Sequence, residues 1–207
     1  MNEKFEKLLT QLEFIDAEEY GGKLIVICGD DNTDWVGDFL SSYNLGLIWS
    51  ASRDVPSNSG IYEVDVLQSL FDNGEIRTAT EIEEYLDNQG YFFLPVYAYV
   101  HGGVAINTGG FSCPWDSGLA GYIFTTRERI RELMGWKRIS KKRHSKIYDI
   151  LKEEINILNA YLNGMVFRYS IYDENGELWS EGGGYIEEKD ALKDAKIEID
   201  LLTGGVK

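Results

Sequence analysis

Cysteine is nearly absent from this chain: Cys28 and Cys113 stand alone among 207 residues. Two thiols make no disulfide framework, and a reducing cytoplasm is the expected setting. Histidine is as scarce, with only His101 and His144. A zinc site would have to draw on these four scattered positions, which lack any paired C-x-x-C or H-x-x-x-H spacing, so no metal and no cofactor is expected. Long apolar runs are missing too. The longest, Tyr91–Val100, holds ten residues and Pro95, too few to span a bilayer. The start, Met1–Glu6, is polar and acidic and lacks a signal-peptide pattern, so no membrane partner is expected. Positive charge is in deficit, 20 Lys and Arg against 35 Asp and Glu for a net −15, which disfavours a general nucleic-acid binder. Neither a Walker loop nor a dinucleotide fingerprint occurs, since Gly102-Gly103 and Gly109-Gly110 have the wrong spacing.

What is present suffices for a folded protein. Apolar residues make up 43% and aromatics 13%, enough for one large domain or two small ones. Phe5, Leu8, Leu9, Leu12 and Ile15 recur at helical spacing, predicting a helix from Glu3 to Phe14. Lys23–Cys28 and Leu45–Trp49 read as short strands. A helix capped by Asp31 or Thr33 is expected to run to Ser41, with Asp34 and Asp38 on one face. Arg53–Gly60 is a loop. Tyr62–Phe71 and Ala79–Leu86 read as helices, the second capped by Thr78 or Thr80. Tyr91–Val100 reads as a strand that Pro95 confines to an edge or a bulge, and Gly102–Asn107 and Leu119–Thr125 as two more. Thr125-Thr126-Arg127-Glu128 has capping-box form, opening a helix that Gly135 stops. Ser140 opens the longest helix, with Ile147, Ile150, Leu151, Ile155, Leu158 and Leu162 as its stripe. A hairpin around Glu174-Asn175-Gly176 and a helix from Glu187 to Leu202 close the chain. The fold class is therefore α+β: short mixed or antiparallel sheets with amphipathic helices, ending in helix–β-hairpin–helix. The expected division is an acidic region 1–90 and a region 91–207 with basic helices, either as two regions or as one continuous domain.

Charge is distributed unevenly. Residues 1–100 carry 19 acidic and 5 basic side chains, whereas residues 127–152 carry 10 basic and 3 acidic. The acidic candidates for a partner surface are Asp30, Asp31, Asp34, Asp38, Glu81, Glu83 and Glu84. Asp30, Asn32 and Asp34 imitate the start of a calcium loop, but Trp35 stands where the turn needs Gly and Ser41 where a bidentate Glu belongs. Acids at a helix start also serve the macrodipole without any partner. The basic candidates are Arg127, Arg131, Arg138, Lys141, Lys142, Arg143 and Lys146, with Trp136 among them. Such an island meets phosphate or an acidic protein surface, docks on the protein's own acids, or is simply solvated.

The third constellation is the nearly charge-free stretch His101–Phe124. Cys113 and His101, with Asp116 to orient the histidine, are weak candidates for a nucleophile pair. The bland alternative is a small buried thiol and a loop histidine. Asn107, Thr108, Trp115 and Ser117 belong to the same loop, where Trp115 is expected to plug a core or a pocket mouth. The run Phe111–Gly118 (FSCPWDSG), preceded by LPVYAYVHGGVAINT and followed by GYIF and GWKRISKK, resembles an uncharacterised protein family carried by bacteriophages and mobile elements. The likeness covers residues 91–160. Many members carry Gln after the motif glycine, where this chain has Leu119, which weakens a polar catalytic role there. The family supplies no reaction. The resemblance implies a genetic setting in which accessory proteins counter host defence, with acidic inhibitors of restriction and CRISPR nucleases as the nearest functional class.

The leading expectation is thus an anti-defence protein that inhibits a host nuclease by acidic-surface binding. Its partner would be the nuclease or its guide-RNA complex in the host cytosol, with RNA contact through residues 127–152. One alternative is a small hydrolase or nuclease acting on RNA through the His101–Asp116 loop. The other is a small-molecule sponge lined by Tyr97, Tyr99, Trp115 and Tyr122.

Overall fold

The computed structural model describes residues 3–31, 34–41 and 43–204. In chain order its elements are α1 (Glu3–Leu9), β1 (Asp16–Tyr20), β2 (Lys23–Gly29), α2 (Trp35–Ser41), β3 (Leu47–Ser50), α3 (Tyr62–Asp72), α4 (Ala79–Asn88) and β4 (Phe92–Val100). They continue with β5 (Val104–Asn107), β6 (Ser117–Thr125), α5 (Arg127–Met134), α6 (Lys141–Leu162), β7 (Phe167–Tyr172), β8 (Leu178–Tyr185) and α7 (Glu188–Thr203). The fold is α+β with two four-stranded antiparallel sheets, and the last helix follows a hairpin.

The chain forms two compact units, one from residues 1–35 and 164–207, the other from residues 36–163. A division at residue 90 is not what packing produces. Val64, Leu67, Ile82 and Leu86, before that point, share one core with Tyr122 and Phe124 beyond it, and β3 pairs with β6.

The first unit has strand order β1-β2-β7-β8. Leu24–Ile27 are buried on both faces of β2. Leu24 and Val26 meet Phe5 of α1, while Ile25 and Ile27 meet Ala191, Ala195 and Ile199 of α7. Strand β1 was not expected, because its sequence DAEEY has no β-branched residue. Its hairpin to β2 turns on Gly21 and Gly22, both at positive φ (57° and 76°), the pair a two-residue turn of this hand demands.

The second unit has strand order β3-β6-β4-β5. One sheet face packs on Ile147, Leu151, Ile155 and Leu158 of α6, the other on α3 and α4. Thr78 caps α4 in a full capping box with Glu81. Pro95 lies in β4, which is flanked by β6 and β5 rather than at the edge, but β5 pairs only from Tyr97 onward and a bulge falls between Val96 and Tyr97. Proline's missing N–H is therefore accommodated where one side of the strand is open. The cap of α5 is Thr126, accepting from the Arg129 N–H, so the expected box is shifted by one residue and has no glutamate at its third position. Helix α2 starts at Trp35, which leaves Asp34 just ahead of it, and the expected cap Thr33 lies outside the described residues.

Candidate functional site

The acidic candidates are divided between the two units. Asp30, Asp31 and Asp34 belong to the first unit, and Asp38, Glu81, Glu83 and Glu84 to the second. Several have internal duties. Asp30 Oδ2 accepts the Gly184 N–H at 3.0 Å. Glu81 Oε2 accepts the backbone N–H groups of Arg77 and Thr78 at 2.8 and 2.9 Å, which hold its carboxyl below the ordinary range. Glu83 Oε1 accepts the Tyr122 hydroxyl at 3.0 Å, and burial followed by that contact pushes the phenol up.

The Gly-rich loop is a built turn. Asn107 Oδ1 accepts from the Gly109 and Gly110 N–H groups at 2.9 and 2.6 Å, and its amide donates to Gly110 O at 3.1 Å. Thr108 lies inside this turn. Ser117 Oγ donates to the Cys113 carbonyl, and the Val100 N–H donates to Asp116 O at 2.9 Å. Asp116 Oδ2 faces both Cys113 Sγ at 3.8 Å and His101 Nδ1 at 3.5 Å. The thiol's hydrogen-bond partner is therefore the carboxylate. Trp115 plugs nothing: it is 92% exposed. Tyr122 is fully buried and borders a cleft with Trp49, Phe71, Arg77 and Leu119 that Tyr97, Tyr99 and Trp115 do not share.

A groove in the first unit was missed in the sequence. Two clefts there share Asp31 and Arg168. Cys28 and Ser170 border one, Glu181 and Gly182-Gly183 the other. Gly184 is required, because its φ is 86° and a Cβ there would stand 2.8 Å from the Trp35 ring. A triple glycine inside a strand was the available signal. Burial pushes the Cys28 thiol up and Arg168 opposes it; the thiol donates to Glu13 O at 3.2 Å.

Part of the basic island converges on one cavity. Helix α5, the turn at Gly135 (φ 64°) and the start of α6 bring it together. Two of its arginines are structural. Arg129 Nε donates to the carbonyl of Asn44 at 2.9 Å. Arg143 lies 5.0 Å above the Trp136 ring and donates to Arg138 O at 2.7 Å. Arg127 stands 5.6 Å over the Phe92 ring, and His144 packs on Phe92 and Tyr148 at 4.9 and 5.3 Å. Arg127, Arg131 and Arg138 nonetheless border one cavity of about 340 Å³ together with Lys137, Trp136 and Ile139. Lys137 was missed in the sequence, where it reads as one more surface lysine. Lys141, Lys142 and Lys146 are exposed on the first turns of α6. Arg131 shares an exposed ion pair with Glu128 at 3.1 Å, a contact of small energetic weight.

Comparison with protein-family models, curated proteins and solved structures returned no match. Among the described residues, no group of three or more His, Cys, Asp and Glu is placed to hold a metal ion. No described helix is long and apolar enough to cross a membrane.

Proposed function

We propose that this protein is a binding protein that engages RNA, with the basic surface of α5 and α6 as the contact. Its partner in this reading is the guide-RNA complex of a host defence nuclease, the class that the mobile-element resemblance suggests. One observation carries it: Arg127, Arg131, Arg138 and Lys137 surround a single cavity whose lining includes no carboxylate, in a chain where acids outnumber bases by 35 to 20. Such local concentration of cations is what phosphate contacts require. Trp136 adds an aromatic wall.

The test is direct binding of a 12-nucleotide single-stranded RNA at 50 and 200 mM salt. About four phosphate contacts give a fall in affinity of roughly 50-fold over that range. Lys141→Glu combined with Lys142→Glu and Lys146→Glu should abolish binding without lowering the thermal unfolding temperature, since all three side chains are exposed and acids suit the start of a helix. Absence of binding at 50 mM salt, or affinity indifferent to salt, would sink the proposal. Co-purification from a host with active CRISPR and restriction systems then names the complex.

A second reading rests on the first unit, whose residues 1–35 and 164–207 hold 19 acidic and 8 basic side chains. A net −11 suits a cationic nucleic-acid channel on a nuclease. Inhibition of that nuclease that survives the triple α6 variant would favour this reading over RNA contact.

A further inference from the structure

We infer that the cavity between α5 and the start of α6 seats a terminal phosphate monoester, carried by a nucleotide or by the 5′ end of an RNA strand; this rests on the RNA reading above. The charge of the lining comes first. Three guanidinium groups and one ammonium group border a space of about 340 Å³, walled on the apolar side by Trp136 and Ile139. Guanidinium forks match phosphate oxygens in pairs. A monoester near neutral pH carries close to two charges, whereas each backbone diester carries one and follows an open surface. Several cations around one half-open space suit the dianion, and the volume leaves room for the attached nucleoside.

The second observation comes from α6 itself. Its first turn holds Lys141, Lys142 and Arg143 and no acidic residue. The start of a helix is the positive end of its dipole, where acids stabilise and cations destabilise. Across 22 residues the sequence therefore works against its own helix at the end adjoining Arg138 and Ile139, which line the cavity. Helices α3 and α4 of the same unit follow the ordinary rule, with Glu63, Asp65 and Glu81 in their first turns. An anion at the α5–α6 junction relieves both the helix end and the crowded guanidinium groups. Arg143, held against Trp136 and Arg138 O, fixes the junction without being used up by the anion.

The experiment compares two RNAs of identical sequence, one with a 5′-phosphate and one with a 5′-hydroxyl, by equilibrium titration, with a nucleoside 5′-monophosphate as competitor. The expected result is roughly ten-fold or tighter binding of the phosphorylated strand, from added charge-assisted bonds. The monophosphate should remove that advantage. Arg131→Ala combined with Arg138→Ala should weaken both strands, the phosphorylated one by the larger factor, so that the two affinities become equal, and a thermal scan should show the variant folded. Equal affinity of the wild-type protein for both strands overturns the inference and leaves the RNA reading standing. Failure of both strands to bind overturns the RNA reading. Saturable binding of the monophosphate in that case upholds the cavity assignment for a free nucleotide, and its absence overturns that too.

Discussion

Gly121→Ala should unfold the second unit, costing about 4 kcal/mol or more. Gly121 sits in β6 opposite Ser50 of β3. A Cβ built on it would lie 2.0 Å from the Trp49 carbonyl oxygen and 2.6 Å from the Ser50 Cα. Both neighbours are backbone of a paired strand, so no rotamer change can make room, and β3 must peel from the sheet. Its residues Leu47, Ile48 and Trp49 are each about 1% exposed, so the core opens with it. Gly118→Ala is the control. It lies in the same strand, has an ordinary φ and meets nothing within 4 Å, so its effect should stay within about 0.5 kcal/mol. Urea denaturation followed by tryptophan fluorescence reads both. Similar midpoints for the two variants would refute the packing account and would make the motif glycine more than a small residue.

The second large effect falls on Glu154, a carboxylate 8% exposed on the buried side of α6. Its two oxygens accept the Leu45 and Gly46 N–H groups, each at 2.7 Å. Glu154→Ala leaves two amides buried without acceptors beside the Arg129 charge and should cost about 3–5 kcal/mol. Glu154→Gln keeps one acceptor and should cost about half as much. Burial raises the Glu154 carboxyl above its ordinary 4.5, against the lowering pull of Gly46, Leu45 and Arg129. The folded state then holds this proton more tightly than the unfolded state, so its contribution is fully present below pH 4.5 and is lost as pH rises through the raised value. Stability measured from pH 4.5 upward should therefore decline less steeply in Glu154→Gln than in the wild type. Parallel profiles would mean that the carboxyl does not titrate differently on folding.

These two residues also mark what the sequence could convey. The stripe of α6 was legible, because Ile147, Leu151, Ile155 and Leu158 follow the helical period and all four are fully buried. Glu154 fits the same stripe, but periodicity reads a glutamate as solvent-facing, and its partners lie 108 and 109 residues away. Caps and turns at Thr78, Gly135 and Ser140 were legible for local reasons. The extent of α1 was not, since the apolar spacing continues past Leu9 while the helix stops there. The basic island could be counted in the sequence, yet which arginines face inward could not, because Arg129 and Arg143 are claimed by carbonyls that only folding supplies. Trp115 was misread because a large aromatic beside proline suggests burial, and nothing local says that a loop tip projects.

The interrupted sheet of the first unit has a consequence during synthesis. Strand β2 leaves the ribosome early, but β7 follows only after the 128 residues of the second unit. At 5–20 residues per second that delay is roughly 6 to 26 seconds. Throughout it, the apolar run Leu24–Ile27, later buried on both faces, has only the β1 hairpin and α1 to cover it. Such a segment is a seed for misassociation between nascent chains. The acids of β1, Asp16, Glu18 and Glu19, stand beside it from the start and act as gatekeepers. A strand with poor intrinsic preference for the sheet thus keeps its neighbour soluble until the other end of the chain arrives.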